Sequence, residues 1–316
     1  MTSPRDIDIE IVVCVPTFRR PDWLARTLDS LIAQSCRRPF AVVVAENDAV
    51  EQQGADVAGE YFAAGHLRGL TVVERRQGNC HAINAAFGAA LTAFPAARYV
   101  LMIDDDEWAE PGWLEAMVST AERTGAGIVG GPVMPQIARG GSPALAQHPA
   151  FRPAFDISGP VPRIYGSGNC LIARTTFERL GLPAFDVAYN FLGGGDTDFF
   201  VRAQRAGIPF QWVQEAVIRE TVPLARTTMR WLATRGLRIG AINHRIELKH
   251  ADGGTERIAI AAKSLGVLAV SVVRGLRLLV ETRQPKIALH PLLVAFGRCL
   301  AAAGIEPQQY RAAAPK

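Results

Sequence analysis

The chain has 316 residues, a mass of 34.1 kDa and a formal net charge of +4. Its length predicts one large domain or two modest ones, and so mild a charge argues against a nucleic-acid binder, which would need a concentrated basic stripe. Hydrophobic residues make up 49% of the sequence and charged residues 20%, a composition that excludes a disordered chain.

Five cysteines are scattered along the chain without a CxxC pair, so neither a disulfide framework nor a structural zinc site is expected. Reduced thiols fit a cytoplasmic protein. The N-terminal residues are polar and acidic and resemble no secretory signal peptide. No run of 18 apolar residues occurs, which disfavours a membrane-spanning helix.

The first 135 residues alternate short apolar runs with amphipathic stretches. Because continuous apolar strands that alternate with helices indicate a parallel sheet covered on both faces, we predict an α/β fold. Right-handed crossovers would place the carboxyl ends of the strands at one edge, where open α/β sheets bind ligands. The predicted strands are 9–16, 41–46, 70–75 and 98–104, and the predicted helices are 21–34, 51–64, 78–94 and 112–123.

The second half of the sequence begins with a stretch rich in Gly and Pro, 130–168, which predicts long loops that cross a cleft. Short strands are expected within 209–220. Helices are predicted at 175–180, 195–206, 224–248 and over most of 258–304, where apolar residues are concentrated.

Four consecutive acidic residues, Asp104 to Glu107, follow the fourth predicted strand. Folding alone gives no reason to gather charges that repel one another. A divalent cation between them would make the arrangement favourable, and carboxylate oxygens suit Mg²⁺ or Mn²⁺. Alternatively, these acids cap the helix after Pro111. An acidic strand end would also fit a phosphatase or a nuclease.

Several segments, in this order, resemble the family-two glycosyltransferases of the GT-A fold. YVLMIDDDEWAEPGWLE (99–115) is similar to the family's D-x-D block, and IVVCVPTFRRPDWLARTLDSLIAQ (11–34) resembles its first strand, P-T-(Y/F)-x-R turn and first helix. GGGDTDFFVRAQRAG (193–207) resembles the E-D-x-D-(L/F) block, with Gly195 where Glu is common. Two weaker matches are AVVVAEND (41–48), with Glu46 for the usual Asp, and RQGNCHAINAAFGAA (76–90), with Ile83 for the usual Arg.

This resemblance implies an inverting transferase that uses a nucleotide-diphospho-sugar and a Mn²⁺ or Mg²⁺ ion. It implies a GT-A catalytic domain over 1–250, divided into a nucleotide-sugar-binding half at 1–125 and an acceptor-side half at 126–250. Asp104 and Asp106 would bind a metal that neutralises the leaving nucleoside diphosphate. Asp104 would also lie near the ribose.

Donor binding is expected at the carboxyl ends of the first two strands. The turn after Pro16 could hold a uracil or another base, although a structural strand-to-helix turn explains Pro16 and Thr17 equally well. Glu46 and Asp48 could bind the base or the ribose, or could lie in an exposed turn. The candidate donor-binding residues are Pro16, Thr17, Phe18, Arg19, Glu46, Asp48, Asn84, Asp104, Asp105, Arg226 and Arg230.

Asp196 is the candidate general base. The three glycines before it would let the backbone approach a sugar and would expose a helix N-terminus. Its carboxylate would accept the proton of the acceptor hydroxyl in a single inverting displacement; alternatively it caps the helix. Asp198 is the second candidate base, although pairing with Arg202 suits it better. Gly168-Asn169 is either a tight turn or a contact to the sugar.

Several cationic and acidic residues follow residue 215. Arg226 and Arg230 are four residues apart, which would place them on one helix face towards a diphosphate or on a solvated face. Thr227-x-x-Arg230-Trp231 resembles the Q-x-x-R-W motif of processive relatives, and its Thr argues against a processive polymerase. Glu220 stands where many family members place a third metal ligand. His244 is expected to be an exposed helical residue.

Residues 251–316 are predicted to form an apolar helical C-terminal extension. The cations Lys263, Arg274 and Arg277 disfavour a helix that spans the membrane. Long cationic side chains instead suit a helix that lies in a membrane interface. The alternative is a pair of core helices that pack on the catalytic domain or form a homodimer. We expect a cytoplasmic enzyme held peripherally on the inner face of the cytoplasmic membrane.

The order of these segments, and the run at 217–226, resemble bacterial exopolysaccharide glycosyltransferases of the succinoglycan type. The resemblance implies transfer of one sugar, from a UDP-sugar, to a hydroxyl of a lipid-linked or saccharide acceptor, with no nucleic acid as partner. A different class that uses the same acidic strand end is a metal-dependent nucleotidyltransferase or phosphohydrolase. A third is a non-catalytic sugar-nucleotide-binding subunit.

Overall fold

The computed structural model describes residues 9–305 of an α/β protein. Its strands are β1 (Ile11–Thr17), β2 (Phe40–Glu46), β3 (Gly69–Val73), β4 (Tyr99–Met102), β5 (Glu107–Ala109), β6 (Ile128–Gly130), β7 (Val133–Ile137), β8 (Gly159–Val161), β9 (Cys170–Ala173), β10 (Phe210–Trp212) and β11 (Ile218–Val222). Its helices are α1 (Pro21–Ile32), α2 (Gln53–Ala63), α3 (Asn79–Ala93), α4 (Trp113–Thr124), α5 (Arg174–Leu180), α6 (Gly195–Arg205), α7 (Met229–Lys249), α8 (Gly254–Thr282), α9 (Pro285–Ala288) and α10 (His290–Ala302).

The main sheet has eight strands in the order β3-β2-β1-β4-β9-β6-β10-β8, and a smaller sheet has the order β5-β11-β7. The first four strands of the main sheet are parallel, as predicted. β9 runs antiparallel between β4 and β6. The carboxyl ends of β1, β2 and β4 therefore meet at one edge, where Thr17 lies opposite Glu46.

Apolar periodicity explains why the first elements form. All seven residues of β1 are buried, as a central strand covered on both faces requires. α1 begins at Pro21, which tolerates the first helical position because its missing N–H would have no partner there. Leu24, Leu28 and Leu31 recur at helical spacing and are fully buried in the main core.

The region 130–168 contains more regular structure than the predicted loops. It holds β7, β8 and a short helical turn at Pro143–Gln147. Strands of three to five residues carry too little alternation to be recognised from one sequence, because their pairing is decided by neighbouring strands. The same reason hides β5, which begins at Glu107 inside the acidic run.

The chain forms two compact units. Among the described residues, the first contains 9–134, 153–190 and 195–220, and the second contains 135–152, 191–194 and 221–305. Contacts thus group α7 with the helices that follow it. The functional division at residue 250 stays a prediction.

In the second unit, α7 and α10 pack with their backbones in close contact. A Cβ atom added to Gly240 would lie 2.0 Å from the carbonyl oxygen of Val294, and one added to Gly297 would lie 2.0 Å from that of Leu237. Together with Gly236, this is the small-residue spacing that allows helices to approach closely.

A polar network accompanies this packing. Glu247 of α7 accepts hydrogen bonds from Arg298 of α10, at 2.7 and 3.1 Å, and from Lys263 of α8, at 2.9 Å. The expectation that His244 is exposed is wrong, because only 3% of it is accessible. Burial, and then the charge of Arg298, lower the pKa of His244.

α8 exposes most of its apolar side chains. Within residues 9–305 it is the one helix that is long and apolar enough to cross a membrane. The cations in its sequence argue against a membrane-spanning helix. In its most apolar window, 22% of the residues are buried. Its most exposed large apolar side chains are Ile258, Leu265, Val270, Val273, Leu276 and Val280.

Candidate active site at the carboxyl edge of the sheet

The acidic residues that follow β4 are joined by a further acid from β11. β5 pairs antiparallel with β11, and in this register Glu107 lies opposite Glu220. Side chains directly opposite each other project to the same face, so these two carboxylates are neighbours. Glu107 also accepts a hydrogen bond from the backbone N–H of Asp104 over 3.0 Å. The turn between β4 and β5 thus gathers acids from two separate parts of the sequence.

Electrostatic repulsion within this cluster is strong. Burial, and then the charges of Asp106, Asp105 and Glu220, raise the pKa of Asp104 to about 8. Burial, and then the charges of Asp104 and Glu220, raise the pKa of Glu107 well above its ordinary value. Fully ionised acids are therefore unfavourable here unless positive charge is supplied.

The ligand atoms that the cluster offers fit a hard divalent cation, because the side chains of Asp104, Asp106 and Glu220 carry only carboxylate oxygens. Within 9–305, however, no three His, Cys, Asp or Glu side chains have the spacing of a preformed metal site.

Among the described contacts, Arg20 brings positive charge to two of these acids. Its Nη1 atom donates hydrogen bonds to Asp105 over 3.0 Å and to Asp106 over 2.9 Å. Sequence reasoning selected the neighbouring Arg19 and missed Arg20, although Arg20 is the arginine of the P-T-(Y/F)-x-R turn. That turn was the available signal.

The end of β1 is fastened to Asp105. The Thr17 hydroxyl donates to Asp105 Oδ2 over 2.9 Å, and the backbone N–H of Phe18 donates to the same oxygen over 3.4 Å. Pro16 is the sixth residue of β1 and lies opposite Ala45. The structure thus brings together the predicted donor residues Pro16, Thr17, Phe18 and Asp105.

Arg19 and Asp48 form an ion pair beside this turn, with Arg19 Nε 2.6 Å from Asp48 Oδ2. The hydrogen bond from Arg19, outweighing partial burial, lowers the pKa of Asp48. Arg19 has a φ of +56°, a left-handed backbone conformation that is uncommon for a residue with a side chain. The Arg19 side chain is 56% exposed.

Glu46 is fully buried and holds the backbone that enters α2. Its two carboxylate oxygens accept hydrogen bonds from the backbone N–H groups of Asp48, over 2.7 Å, and Gly54, over 2.8 Å. The alternative of an exposed turn is wrong for Glu46, and its contacts are with the protein backbone.

Asn84 likewise contacts backbone. Its amide donates to the carbonyl of Phe185 over 2.7 Å and accepts from the N–H of Phe185 over 2.8 Å. This pair of bonds ties α3 to the loop that precedes α6.

Two asparagines that sequence reasoning missed hold the turn before α3. Asn47 accepts from the backbone N–H of Gly78 over 2.6 Å, and Asn190 accepts from that of Cys80 over 3.0 Å. A Cβ at Gly78 would overlap the Asn190 amide, which explains the glycine there together with its φ of +131°.

Asp196 lies in the first turn of α6, so it is inside the helix rather than a cap before it. Its Oδ1 atom accepts a hydrogen bond from the backbone N–H of Thr197 over 2.7 Å. The pKa of the buried Cys170 thiol is raised by burial and then by the charges of Asp104 and Asp196. The acidic cluster and the candidate base therefore act on the same buried atom.

Close packing explains why Gly195 replaces the usual glutamate. A Cβ at this position would lie 2.7 Å from Cys80 Sγ and 3.2 Å from the Phe185 ring. Burial, and then the charge of Asp196, raise the pKa of Cys80 to about 12, so this thiol stays protonated.

Asp198, the second candidate base, lies in the first turn of α6. It is fully buried and pairs with Arg202 over 3.1 Å, as expected from their spacing. Asn169 lies in a tight turn, where its amide accepts from the Trp113 indole N–H over 2.8 Å and donates to two backbone carbonyls. Asn169 thus braces the core.

Arg226 and Arg230 do not share a helix, which corrects the prediction. Arg226 lies in a short helical turn, Leu224–Thr227, whereas Arg230 lies in the first turn of α7. Thr228 separates them as the N-cap of α7, its hydroxyl accepting from the Trp231 N–H. Both arginines belong to the second unit.

Comparison with known proteins shows the family of this chain. The family description "Glycosyl transferase family 2" matches residues 12–181. The succinoglycan biosynthesis protein ExoM of Rhizobium meliloti is 31% identical over 280 residues, which cover 84% of each chain. The chain belongs to glycosyltransferase family 2. It is therefore a transferase enzyme, and the resemblance of its sequence segments to that family is confirmed.

A second relative of this glycosyltransferase is the glucosyl-dolichyl phosphate glucuronosyltransferase of Haloferax volcanii, 24% identical over 94% of each chain. A mannosyltransferase from Pyrobaculum calidifontis, solved with GDP-Man and Mn²⁺, has a TM-score of 0.58 at 16% identity over 94% of this chain and 89% of its own. S. aureus TarS 1-349, solved with UDP, has a TM-score of 0.52 at 14% identity over 96% and 93%. These structures confirm the GT-A fold.

Proposed function

We propose that this glycosyltransferase moves one sugar from a nucleotide-diphospho-sugar, with a UDP-sugar as the expected donor, to a hydroxyl of a lipid-linked or saccharide acceptor. The pathway we propose is bacterial exopolysaccharide biosynthesis, as for the relative ExoM. The observation that carries this proposal is the acidic cluster after β4 together with Asp196 at the start of α6. The UDP and GDP-Man in the related structures support a nucleotide-sugar donor.

The donor nucleotide is assigned to the edge formed by β1 and β2. The backbone and rings after Pro16 would hold the base, and Asp48 with its partner Arg19 would bind the ribose or base. Glu46 and Asn84 would act indirectly, since their carboxylate and amide already hold backbone. Assignment of Arg226 and Arg230 to the diphosphate stays a prediction.

Asp104, Asp106 and Glu220 are the residues that would hold Mn²⁺ or Mg²⁺. When bound, the ion would supply positive charge that neutralises the leaving nucleoside diphosphate. The raised pKa of Asp104 supports this assignment, because a cation would relieve the repulsion that favours its protonated form. Arg20 would supply a second positive charge at Asp105 and Asp106.

Asp196 is assigned as the general base. Its carboxylate would accept the proton of the acceptor hydroxyl while that oxygen forms a bond to the anomeric carbon. The bond from the anomeric carbon to the diphosphate oxygen breaks in the same step, and the electron pair leaves with the nucleoside diphosphate. One displacement of this kind inverts the anomeric configuration.

We further propose that the enzyme works at the inner face of the cytoplasmic membrane, with α8 as the contact. The exposed apolar face of α8 carries Lys263, Arg274 and Arg277, which suits a helix lying among anionic headgroups. The alternative is that a second copy of this chain covers the same face of α8 in a homodimer.

The test is turnover with a panel of nucleotide sugars, Mn²⁺ and a saccharide or lipid-linked acceptor. Release of nucleoside diphosphate only when acceptor is present supports transfer, whereas release of pyrophosphate or phosphate contradicts it. Nuclear magnetic resonance of the product would report the inverted anomer.

The matched variants are Asp196→Asn and, as control, Asp156→Asn at an exposed position. We expect Asp196→Asn to lower kcat by about 10²–10⁴-fold, the usual contribution of a general base, while donor binding is retained. Asp156→Asn should transfer sugar like the wild type. Transfer that survives Asp196→Asn would exclude Asp196 as the base.

A further inference from the structure

The segment that leads into Asp196 is packed within the second unit. Residues 191–194 belong to that unit, whereas Gly195 and Asp196 belong to the first. The chain thus enters the C-terminal helical unit for four residues and leaves it one residue before the assigned base.

Two glycines of this segment have left-handed backbone conformations, with φ of +82° at Gly193 and +96° at Gly194. A Cβ on Gly194 would lie 2.4 Å from Cγ2 of Ile242 in α7. On Gly193, a Cβ would lie 3.6 Å from Nη1 of Arg238 and 3.7 Å from Cδ1 of Ile242. Ile242 therefore touches the backbone at a position that only glycine accommodates.

Ile242 is 8% exposed, and Leu192 in the same segment is 6% exposed. The helix that carries Ile242, α7, packs with its backbone in close contact with that of α10. A buried branched side chain on a helix packed in this way restricts the position of the backbone that lies against it.

We propose that Ile242 is a positioning residue for the general base: it sets the backbone of Gly194 and, through two peptide bonds, the placement of Asp196. This proposal rests on the proposed function of Asp196. Positioning errors of about 1 Å at a reacting group can cost about 10²-fold in rate.

The test compares Ile242→Ala with Ile246→Ala. Ile246 is a matched control, since it is the same residue type, lies one turn further along α7 and is 3% exposed. We expect Ile242→Ala to lower kcat about tenfold with the donor KM within about twofold, the pattern of a lost transition-state interaction. Ile246→Ala should keep kcat within about twofold. Equal losses of kcat would overturn the proposal.

A rescue experiment separates the contact from backbone strain. Gly194→Ala introduces both a left-handed alanine and the clash with Ile242, and Gly207→Ala introduces the strain alone, since Gly207 has a φ of +71° and open space around it. Gly194→Ala/Ile242→Ala should be more active than Gly194→Ala, because the clash is removed. If the double variant is no more active, Ile242 does not set this backbone.

Hydrogen exchange gives a readout that does not depend on activity. Amides of residues 192–196 should exchange faster in Ile242→Ala than in Ile246→Ala. Unchanged exchange would overturn the positioning role even if Asp196 is the base. Conversely, wild-type enzyme that transfers no sugar, with faster exchange in Ile242→Ala, would contradict the proposed function and not the contact.

Discussion

The guanidinium of Arg20 donates a hydrogen bond to Asp106 over 2.9 Å, at the point where a metal is expected. The same nitrogen contacts Asp105, a buried carboxylate. Arg20 therefore supplies positive charge to the cluster, and the metal and the guanidinium would share the acids.

Removing this charge should make the protein depend more on metal. We expect Arg20→Gln to lower the free energy of unfolding by about 1 kcal/mol, since Arg20 is partly exposed. Added Mn²⁺ should then raise the Tm of Arg20→Gln more than that of the wild type, because the repulsion left uncompensated is larger.

Arg19→Gln is the control, since Arg19 is the adjacent arginine and pairs with Asp48 instead. Thermal unfolding with and without Mn²⁺ measures the effect. An equal Mn²⁺ response in wild type, Arg20→Gln and Arg19→Gln would show that Arg20 and the metal act on different acids.

The contact between Gly195 and Cys80 predicts a double-mutant cycle. Gly195→Ala should destabilise the protein by about 1–3 kcal/mol, because the new methyl group would lie 2.7 Å from the sulfur. Cys80→Ala should restore part of the loss by vacating that space. Chemical denaturation of the four proteins gives the coupling energy, and additive effects would refute the contact.

Gly88 offers a contrast within α3. A Cβ there would meet nothing within 4 Å, so Gly88→Ala should stabilise the helix by about 0.5–1 kcal/mol.

Two buried histidines in the second unit predict acid sensitivity. His148 and His290 stack edge to face, with ring centroids 4.8 Å apart. Burial is the first cause that lowers the pKa of each to about 4, with the charge of Arg274 a further cause at His290. Because both rings bind protons more weakly when folded, the stability they contribute is present above about pH 6.5 and is lost as the pH falls towards 4.

The loss should be on the order of 5 kcal/mol across that window, because one pKa unit corresponds to about 1.4 kcal/mol and both rings contribute. Replacing both rings, as in His148→Gln/His290→Gln, should flatten the decline, although the variant starts from a lower stability. His66→Gln, at an exposed position, should decline like the wild type. The measurement is denaturant midpoint against pH, and a decline that persists in the double variant would assign it to other groups.

The exposed face of α8 predicts binding to anionic vesicles. Val273 and Leu276 are 69% and 61% exposed, so Val273→Glu/Leu276→Glu should remove affinity for phosphatidylglycerol vesicles with little change in Tm. Thr255→Glu, also exposed in α8, should bind as the wild type does. Co-sedimentation measures binding, and sedimentation velocity detects the dimer; protein that stays in the supernatant as a dimer would contradict membrane contact.

Most of the fold could be predicted from the sequence because apolar residues recur at regular spacing within long helices and strands. The first four strands and the helices around them are decided by apolar spacing and by Pro21. The acidic run was recognised for the same local reason. By contrast, β5 and β9 are set by pairing across the sheet, which no local pattern reports.

The contacts of the site residues required the structure. Glu46 and Asn84 have polar side chains that suit a ligand, and only the fold reveals that each holds a peptide group. Arg20 and Arg19 are adjacent and chemically identical, yet the turn directs one to the acidic cluster and the other to Asp48. Backbone direction after a strand end is decided by tertiary contacts.

The interleaving of the two compact units has a consequence for shortened forms of this enzyme. The chain alternates between the units at residues 134, 152, 190, 194 and 220, so no single cut yields either one intact. A protein ending at residue 250 would retain α7 but lose α10, leaving the bare strip of Gly236 and Gly240 exposed to water. Truncations made to improve solubility would therefore remove the helix against which α7 packs, and the residues after 250 must be kept when this enzyme is produced or redesigned.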